Sequence, residues 1–204
     1  FGGRNFEYFS EDSVLSGRMA AAEVNGAAAH GVYAFIKHFA LNDQETNRCA
    51  FLLTYCNEQA MREIYLRPFE LCVKNFDYQC LGVMSSFNWI GPVYAGANPE
   101  LLKDVLRGEW GFEGVVCTDY DGSYGYMISD ACVRAGNDMM LGFGQSATNE
   151  FTDLDSPTCV QALRQASKNI LYTVANSGFY THEESDDSIS PMNAMFIAID
   201  VVAV

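Results

Sequence analysis

A chain of 204 residues with an apolar fraction of 49% is long enough to bury a sizeable core and too apolar to be a disordered segment. Its formal net charge of -14 argues against nucleic acid and anionic membrane surfaces, which attract Lys/Arg-rich patches, and leaves neutral ligands compatible. The chain opens Phe1-Gly2-Gly3 without an initiator methionine or a secretory leader, so the expectation is a piece of something longer.

The cysteines (Cys49, Cys56, Cys72, Cys80, Cys117, Cys132 and Cys159) show no Cys-x-x-Cys spacing and no accompanying histidine pattern. Neither a disulfide framework nor a zinc site is implied, and a thiol inside an apolar stretch behaves as a small buried hydrophobe. His30, His38 and His182 are dispersed and make no ligand cluster, and no glycine-rich phosphate loop follows a strand, so no metal and no cofactor is expected.

Residues 13–29 are Ala-rich, with Val14, Met19, Ala22, Val24 and Ala27 available for a buried helical face and Gly31 placed to close it. Residues 32–39 are the next strand candidate, ending in Lys37-His38, and the polar run 42–48 reads as a loop over a face of the domain. Helical period returns over 57–74 in Ala60, Met61, Ile64, Tyr65, Phe69 and Val73, with a break expected at Pro68. A second strand over 81–87 precedes a Gly/Pro/Asn-rich loop and a helix over 99–110 with Leu101, Leu102, Val105 and Leu106 inward.

The third strand is the stretch around which the rest is organised. Val115, Val116, Cys117 and Thr118 have the composition of a strand buried on both faces, and Asp119 stands where it stops. A helix over 126–135, a brief strand over 138–141 and a helix opening at Ser156-Pro157 and closing at Gly178 complete the pattern. Val160, Leu163, Ser167, Ile170, Leu171 and Val174 are the predicted apolar stripe of that last helix.

Helices alternating with strands predict an α/β chain with parallel connections. Four strands are too few for a closed eight-stranded barrel, and polar residues gather at the carboxyl ends of three of them. The expectation is a partial (β/α)8 TIM-type barrel, its carboxyl-terminal half, over residues 1–178. Residues 179–204 leave this pattern: an acidic linker holding Glu183, Glu184, Asp186 and Asp187, then the apolar run Met195 to Val204. That run is shorter than the roughly 20 residues a spanning helix needs, and reads either as the start of a membrane segment or as a strand or frayed tail.

A carboxylate at the end of a buried parallel strand is held rigidly and opened to a ligand by the loop that follows. Taken alone, Asp119 is better explained as an Asx cap or turn than as a catalytic group. Lys37 and His38 are placed to face the same pocket and donate to vicinal hydroxyls, or to be a surface pair. Arg4 is able to fork hydroxyls, or to pair with Glu7 or Glu11.

Several ordered motifs change the balance. Gly3-Arg-Asn-Phe-Glu7 with Ser10-Glu-Asp12, Lys37-His-Phe39, Asn42-Asp-Gln-Glu45, Asn47-Arg48, Arg62-Glu-Ile-Tyr65 with Pro68-Phe-Glu70, Gly82-Val-Met-Ser85 and Glu109-Trp-Gly-Phe112 through Thr118-Asp119 resemble glycoside hydrolase family 3, and within it bacterial β-glucosidases. The resemblance runs from the first residues to about Gly178. It implies a retaining hydrolase of β-glucosides or related oligosaccharides with Asp119 the nucleophile, while the absence of a disulfide framework and the apolar tail make cytoplasmic or membrane-attached the expected location. It further implies that Arg4, Lys37 and His38 bind the glycone, that Met84 lines its subsite and that Tyr120 is the aromatic beside the nucleophile. Asp138 matches a position with a structural role.

Two departures qualify the resemblance. Phe87 stands where the family often has a tyrosine able to hydrogen-bond the nucleophile, and a phenyl ring cannot donate. The family's first barrel strands, and the α/β sandwich domain that usually supplies the general acid, are absent from this chain. These are the partners the chain is expected to need; without them the alternative is a catalytically inactive sugar-binding or assembly module.

Overall fold

The computed structural model describes residues 3–74, 79–120, 124–142 and 150–180. In chain order the elements are α1 (Ser13–Ala28), β1 (Phe35–Phe39), β2 (Leu53–Thr54), α2 (Glu58–Ala60) running into a π-type turn (Met61–Tyr65), α3 (Arg67–Val73), β3 (Gly82–Ser85), β4 (Trp89–Ile90), β5 (Val93–Tyr94), a π-type helix (Glu100–Glu109), β6 (Val115–Tyr120), α4 (Ser129–Ala135), β7 (Met139–Leu141) and α5 (Pro157–Ala175). The apolar run at 195–204 and the acidic linker lie outside the described residues. Among the described residues no helix is long and apolar enough to cross a membrane.

The four strands that the sequence predicts form one sheet in the order β1-β3-β6-β7, with every pairing parallel. This is the α/β architecture of a partial barrel, with β1 and β7 at its edges. Val83 and Val116 are fully buried neighbours in register. Around them pack Phe39, Leu102, Leu106, Trp110 and Phe112, so the inward face predicted for the helix after Pro99 is the face that is buried. A second, three-stranded sheet of β2, β4 and β5 was not legible in the sequence, because strands of two residues are too short to show alternation.

Three helices bury other faces than their apolar residues predict. In α1, Val14 and Met19 are exposed, while Gly17 and Val24 are buried. A methyl group on Gly17 would come within 2.7 Å of Leu71 and 3.0 Å of the Pro68 backbone, so α1 meets α3 through a glycine contact and hydropathy gives no signal of it. Ile64 is exposed because the break falls at Leu66, before Pro68, and the π-type turn rotates the face. In α5 the buried residues are Cys159, Ala166, Asn169 and Thr173, while Leu171 is exposed. Small and polar side chains let α5 approach the sheet closely and bond to it. Thr173 Oγ1 donates to Leu81 O at 3.3 Å.

One buried ion pair ties these layers together. The Asp138 carboxylate, 2% exposed, accepts Arg107 Nη2 at 2.7 Å, the Val116 backbone N–H at 2.7 Å and Asn169 Nδ2 at 2.8 Å. It thereby joins the π-type helix, the amino end of β6 and α5, at the opposite end of the strand from Asp119. Burial pushes its carboxyl above the ordinary value, against the pull of Arg107. Removing one partner of a buried pair leaves the other charge unsatisfied. Asp138→Ala is therefore expected to cost about 3–5 kcal/mol in urea unfolding; a loss below about 1 kcal/mol would contradict this account of the fold.

Candidate functional site

The carboxyl ends of β1, β3 and β6 meet at one place, and backbone irregularity marks two of them. The register of β1 slips between Ile36 and Phe39, and that of β6 slips between Cys117 and Tyr120. In a regular strand Lys37 and His38 point to opposite faces; a bulge re-aims side chains, and bulges collect beside functional sites. Ser86 Oγ and Asn88 Nδ2 both donate to Ala40 O at 3.1 Å, which pins the end of β1 to the loop after β3. Leu141 N donates to Thr118 Oγ1 at 2.9 Å, fixing the residue before Asp119.

Asp119 is 8% exposed. Its Oδ1 accepts the Tyr120 backbone N–H at 2.7 Å, while its buried Oδ2 has no hydrogen-bond partner. His38 Nε2 lies 3.4 Å from that oxygen, and Arg4 Nη2 lies 3.4 Å from the same imidazole nitrogen. Burial pushes the Asp119 carboxyl above its usual range, while the Tyr120 N–H and then the Arg48, Arg4 and Lys37 charges pull it back. Burial, reinforced by Arg4 and Lys37, draws the His38 imidazole down to about 3. The ring is thus neutral at neutral pH, and its contact with Asp119 is that of a dipole and not of an ion pair.

The residues singled out in the sequence are brought together unequally. His38 and Asp119 are in contact. Arg4 pairs with Glu7, not Glu11, donating Nε at 2.7 Å and Nη2 at 2.6 Å, so most of its fork is already engaged. Lys37 Nζ donates to the same Glu7 at 2.9 Å, and these bonds hold the Glu7 carboxyl down to about 2. Met84 is half-buried opposite Cys117 in the sheet, and Tyr120 is partly exposed next to Asp119. Phe87 is buried. It takes the Arg48 guanidinium on its face at 4.6 Å and sets its ring edge-to-face with Tyr124 at 5.6 Å.

Arg48 is the site residue that the sequence reading did not single out. Its Nη1 lies 3.3 Å from Glu45 Oε2, and it is the foremost side-chain charge acting on Asp119. The signal was present in Asn47-Arg48, but a lone arginine in a polar loop reads as a solvated charge. Glu7 and Glu45 organise the arginines; Glu7 was named in the sequence as a candidate partner of Arg4, and Glu45 only as part of a motif. Among the described residues no group of His, Cys, Asp and Glu is arranged to hold a metal ion.

The imidazole makes a test possible. A histidine at 6.5 in the unfolded chain and at about 3 in the folded one takes up its proton in the unfolded chain first. The stability it contributes is present above pH 6.5 and is lost as the pH falls toward 3. Glu7, held near 2, does not enter between pH 7 and 5. Over that interval the chain is expected to lose about 1–2 kcal/mol more stability than His38→Gln. Equal slopes for the two proteins would show that the imidazole is not held neutral.

Residues 2–171 match the profile described as Glycosyl hydrolase family 3 N terminal domain. Among curated relatives, "Beta-glucosidase B" of Emericella nidulans is 48% identical over 123 residues, covering 60% of this chain and 14% of its own. A "Beta-glucosidase" of Rhizobium radiobacter is 44% identical over 139 residues, covering 68% of this chain and 16% of its own. Among solved structures, β-glucosidase 3B from Thermotoga neapolitana in complex with glucose superimposes with a TM-score of 0.74 at 38% identity, over 88% of this chain and 26% of that one. The chain thus spans about a seventh of the length of these curated relatives. Two expectations are corrected. The chain is part of the N-terminal barrel region and not a carboxyl-terminal half; a count of four parallel strands reports how much of a barrel is present, not which part. The relatives are fungal as well as bacterial, so the similarity does not single out bacteria. The chain belongs to glycosyl hydrolase family 3.

Proposed function

We propose that the protein carrying this chain hydrolyses β-linked glucosides with retention of configuration, through a covalent glycosyl ester on Asp119. The observation that carries the reading is the state of that carboxylate. It is desolvated, oriented through Oδ1 by the Tyr120 N–H, and left with an unpartnered Oδ2. A structural aspartate, such as Asp138 in this same chain, has both oxygens engaged. The names of the relatives, β-glucosidases, support the choice of substrate class.

In the proposed reaction Oδ2 attacks the anomeric carbon as the bond to the leaving oxygen breaks, and an acid gives that oxygen its proton. Water then attacks the same carbon, passes its proton to the conjugate base of that acid, and releases the sugar and a free carboxylate. Arg48 and Arg4 hold Asp119 ionised until attack, and neutral His38 offers hydrogen bonding without adding charge. Lys37, with donors remaining beyond its bond to Glu7, serves the glycone hydroxyls. Met84 and Tyr120 line the same subsite, and Phe87 acts through Arg48 where a tyrosine would have acted directly. Glu7 and Glu45 are tied to arginines, so the acid is assigned to a part of the protein outside these residues.

The inactive sugar-binding alternative draws on Phe87 and on the engagement of Arg4 with Glu7. A mechanism-based label separates the two readings. The full-length protein, incubated with a 2-deoxy-2-fluoro-β-glucosyl donor bearing an activated leaving group, is expected to gain one sugar mass, mapped by peptide analysis to Asp119. Asp119→Asn is expected to remain unlabelled. An adduct on another residue, or none, would overturn the assignment.

A further inference from the structure

A single carboxylate holds two cations of the site, and the proposed reaction gives that carboxylate no part. Glu7 accepts Arg4 Nε on Oε1 at 2.7 Å and, on Oε2, Arg4 Nη2 at 2.6 Å and Lys37 Nζ at 2.9 Å. These charge-assisted bonds hold its carboxyl down to about 2, so Glu7 is ionised throughout the neutral range. Glu45 serves Arg48 at 3.3 Å and Arg4 at 3.9 Å in the same way, more loosely.

The bridge stands beside the candidate nucleophile. Arg4 Nη2 lies 3.4 Å from His38 Nε2, and that nitrogen lies 3.4 Å from Asp119 Oδ2. In the reaction proposed above, the sugar that becomes bonded to Asp119 is the glycone, so the groups ranged beside that oxygen meet the glycone and not the leaving group. The charges there cancel. Arg48, Arg4 and Lys37 are the cations acting on Asp119, and Glu7, Glu45 and Asp119 itself match them, with a neutral His38 between. Glu7 also shows what Arg4 and Lys37 would otherwise bind: their donors converge on a carboxylate.

Resting on the glycosidase reading above, we propose that Glu7 is a specificity-determining residue: by occupying Arg4 and Lys37 it keeps the glycone subsite neutral, so that the site takes uncharged β-glucosides and rejects β-glucuronides. Glucose and glucuronic acid have nearly the same shape and differ in the exocyclic group, a hydroxymethyl in one and a carboxylate in the other. Discrimination between such a pair comes from an element that opposes the wrong ligand. Here two effects act in one direction. The cations that would pair with a uronate are already satisfied, and Glu7 sets a like charge against it.

The test compares para-nitrophenyl β-glucoside with para-nitrophenyl β-glucuronide, which share a leaving group, on the full-length protein and its Glu7→Gln and Glu7→Asp variants. The readout is the ratio of kcat/KM on the glucuronide to that on the glucoside, in which any loss of folded protein cancels. The parent is expected to favour the glucoside strongly. Glu7→Gln keeps the shape and removes the charge, and is expected to raise the ratio by about tenfold or more. Glu7→Asp keeps the charge and should leave the ratio within about threefold, even where both rates fall. A merely structural role would lower both substrates together in either variant. An unchanged ratio in Glu7→Gln, loss of both activities in that variant, or a parent that hydrolyses the two substrates comparably would overturn the filter alone. Hydrolysis of neither substrate by the parent would overturn the filter together with the glycosidase reading.

Discussion

A carboxylate held out of water with one oxygen unpaired is the constraint around which this chain is arranged. Buried charge is costly, and the cost is met here by cations placed at a distance and not by a direct ion pair. Arg48 rests on Phe87 and is held by Glu45; Arg4 is held by Glu7, which also takes Lys37. The two glutamates keep the arginines from closing on Asp119. An arginine fork bound directly to the carboxylate would lower its basicity and occupy the oxygen to which the proposed reaction assigns the attack. Electrostatic support and a carboxylate oxygen left open are thus both obtained, by routing the charge through a second layer.

That layer depends on the sheet beneath it. The Asp138–Arg107 pair and Asn169 lock the start of β6, at Val116, to its covering helices, so Asp119 projects from a strand that is anchored at its other end. The register irregularities in β1 and β6 then turn His38 and Asp119 toward each other. The two aspartates show how environment divides roles between identical side chains. Both have their carboxyls raised by burial, yet Asp138 has both oxygens bonded and Asp119 keeps one in reserve.

Much of this was legible in the sequence, and the part that was not has identifiable causes. The strand ending at Asp119, the parallel sheet and the helix over Glu100–Glu109 follow from long apolar runs with clear periods. The faces of α1 and α5 do not, because both pack through small residues, Gly17 in one and Ala166 with Thr173 in the other, and hydropathy does not register close approach. Lys37 and His38 were placed together by motif, but their separate partners, Glu7 and Asp119, depend on a bulge that no period reveals. Phe87 was read as a lost hydroxyl. In the structure the same ring is the platform on which Arg48 stands.

Chemical rescue tests the central claim most directly. Asp119→Gly in the full-length protein removes the nucleophile and leaves room for a small anion in its place. With added azide and an activated β-glucoside, the account predicts restored turnover and α-glucosyl azide as product, because azide would attack from the side that the carboxylate occupied. A product of β configuration would mark Asp119 as the acid or base, and no rescue at all would contradict its role as the attacking group.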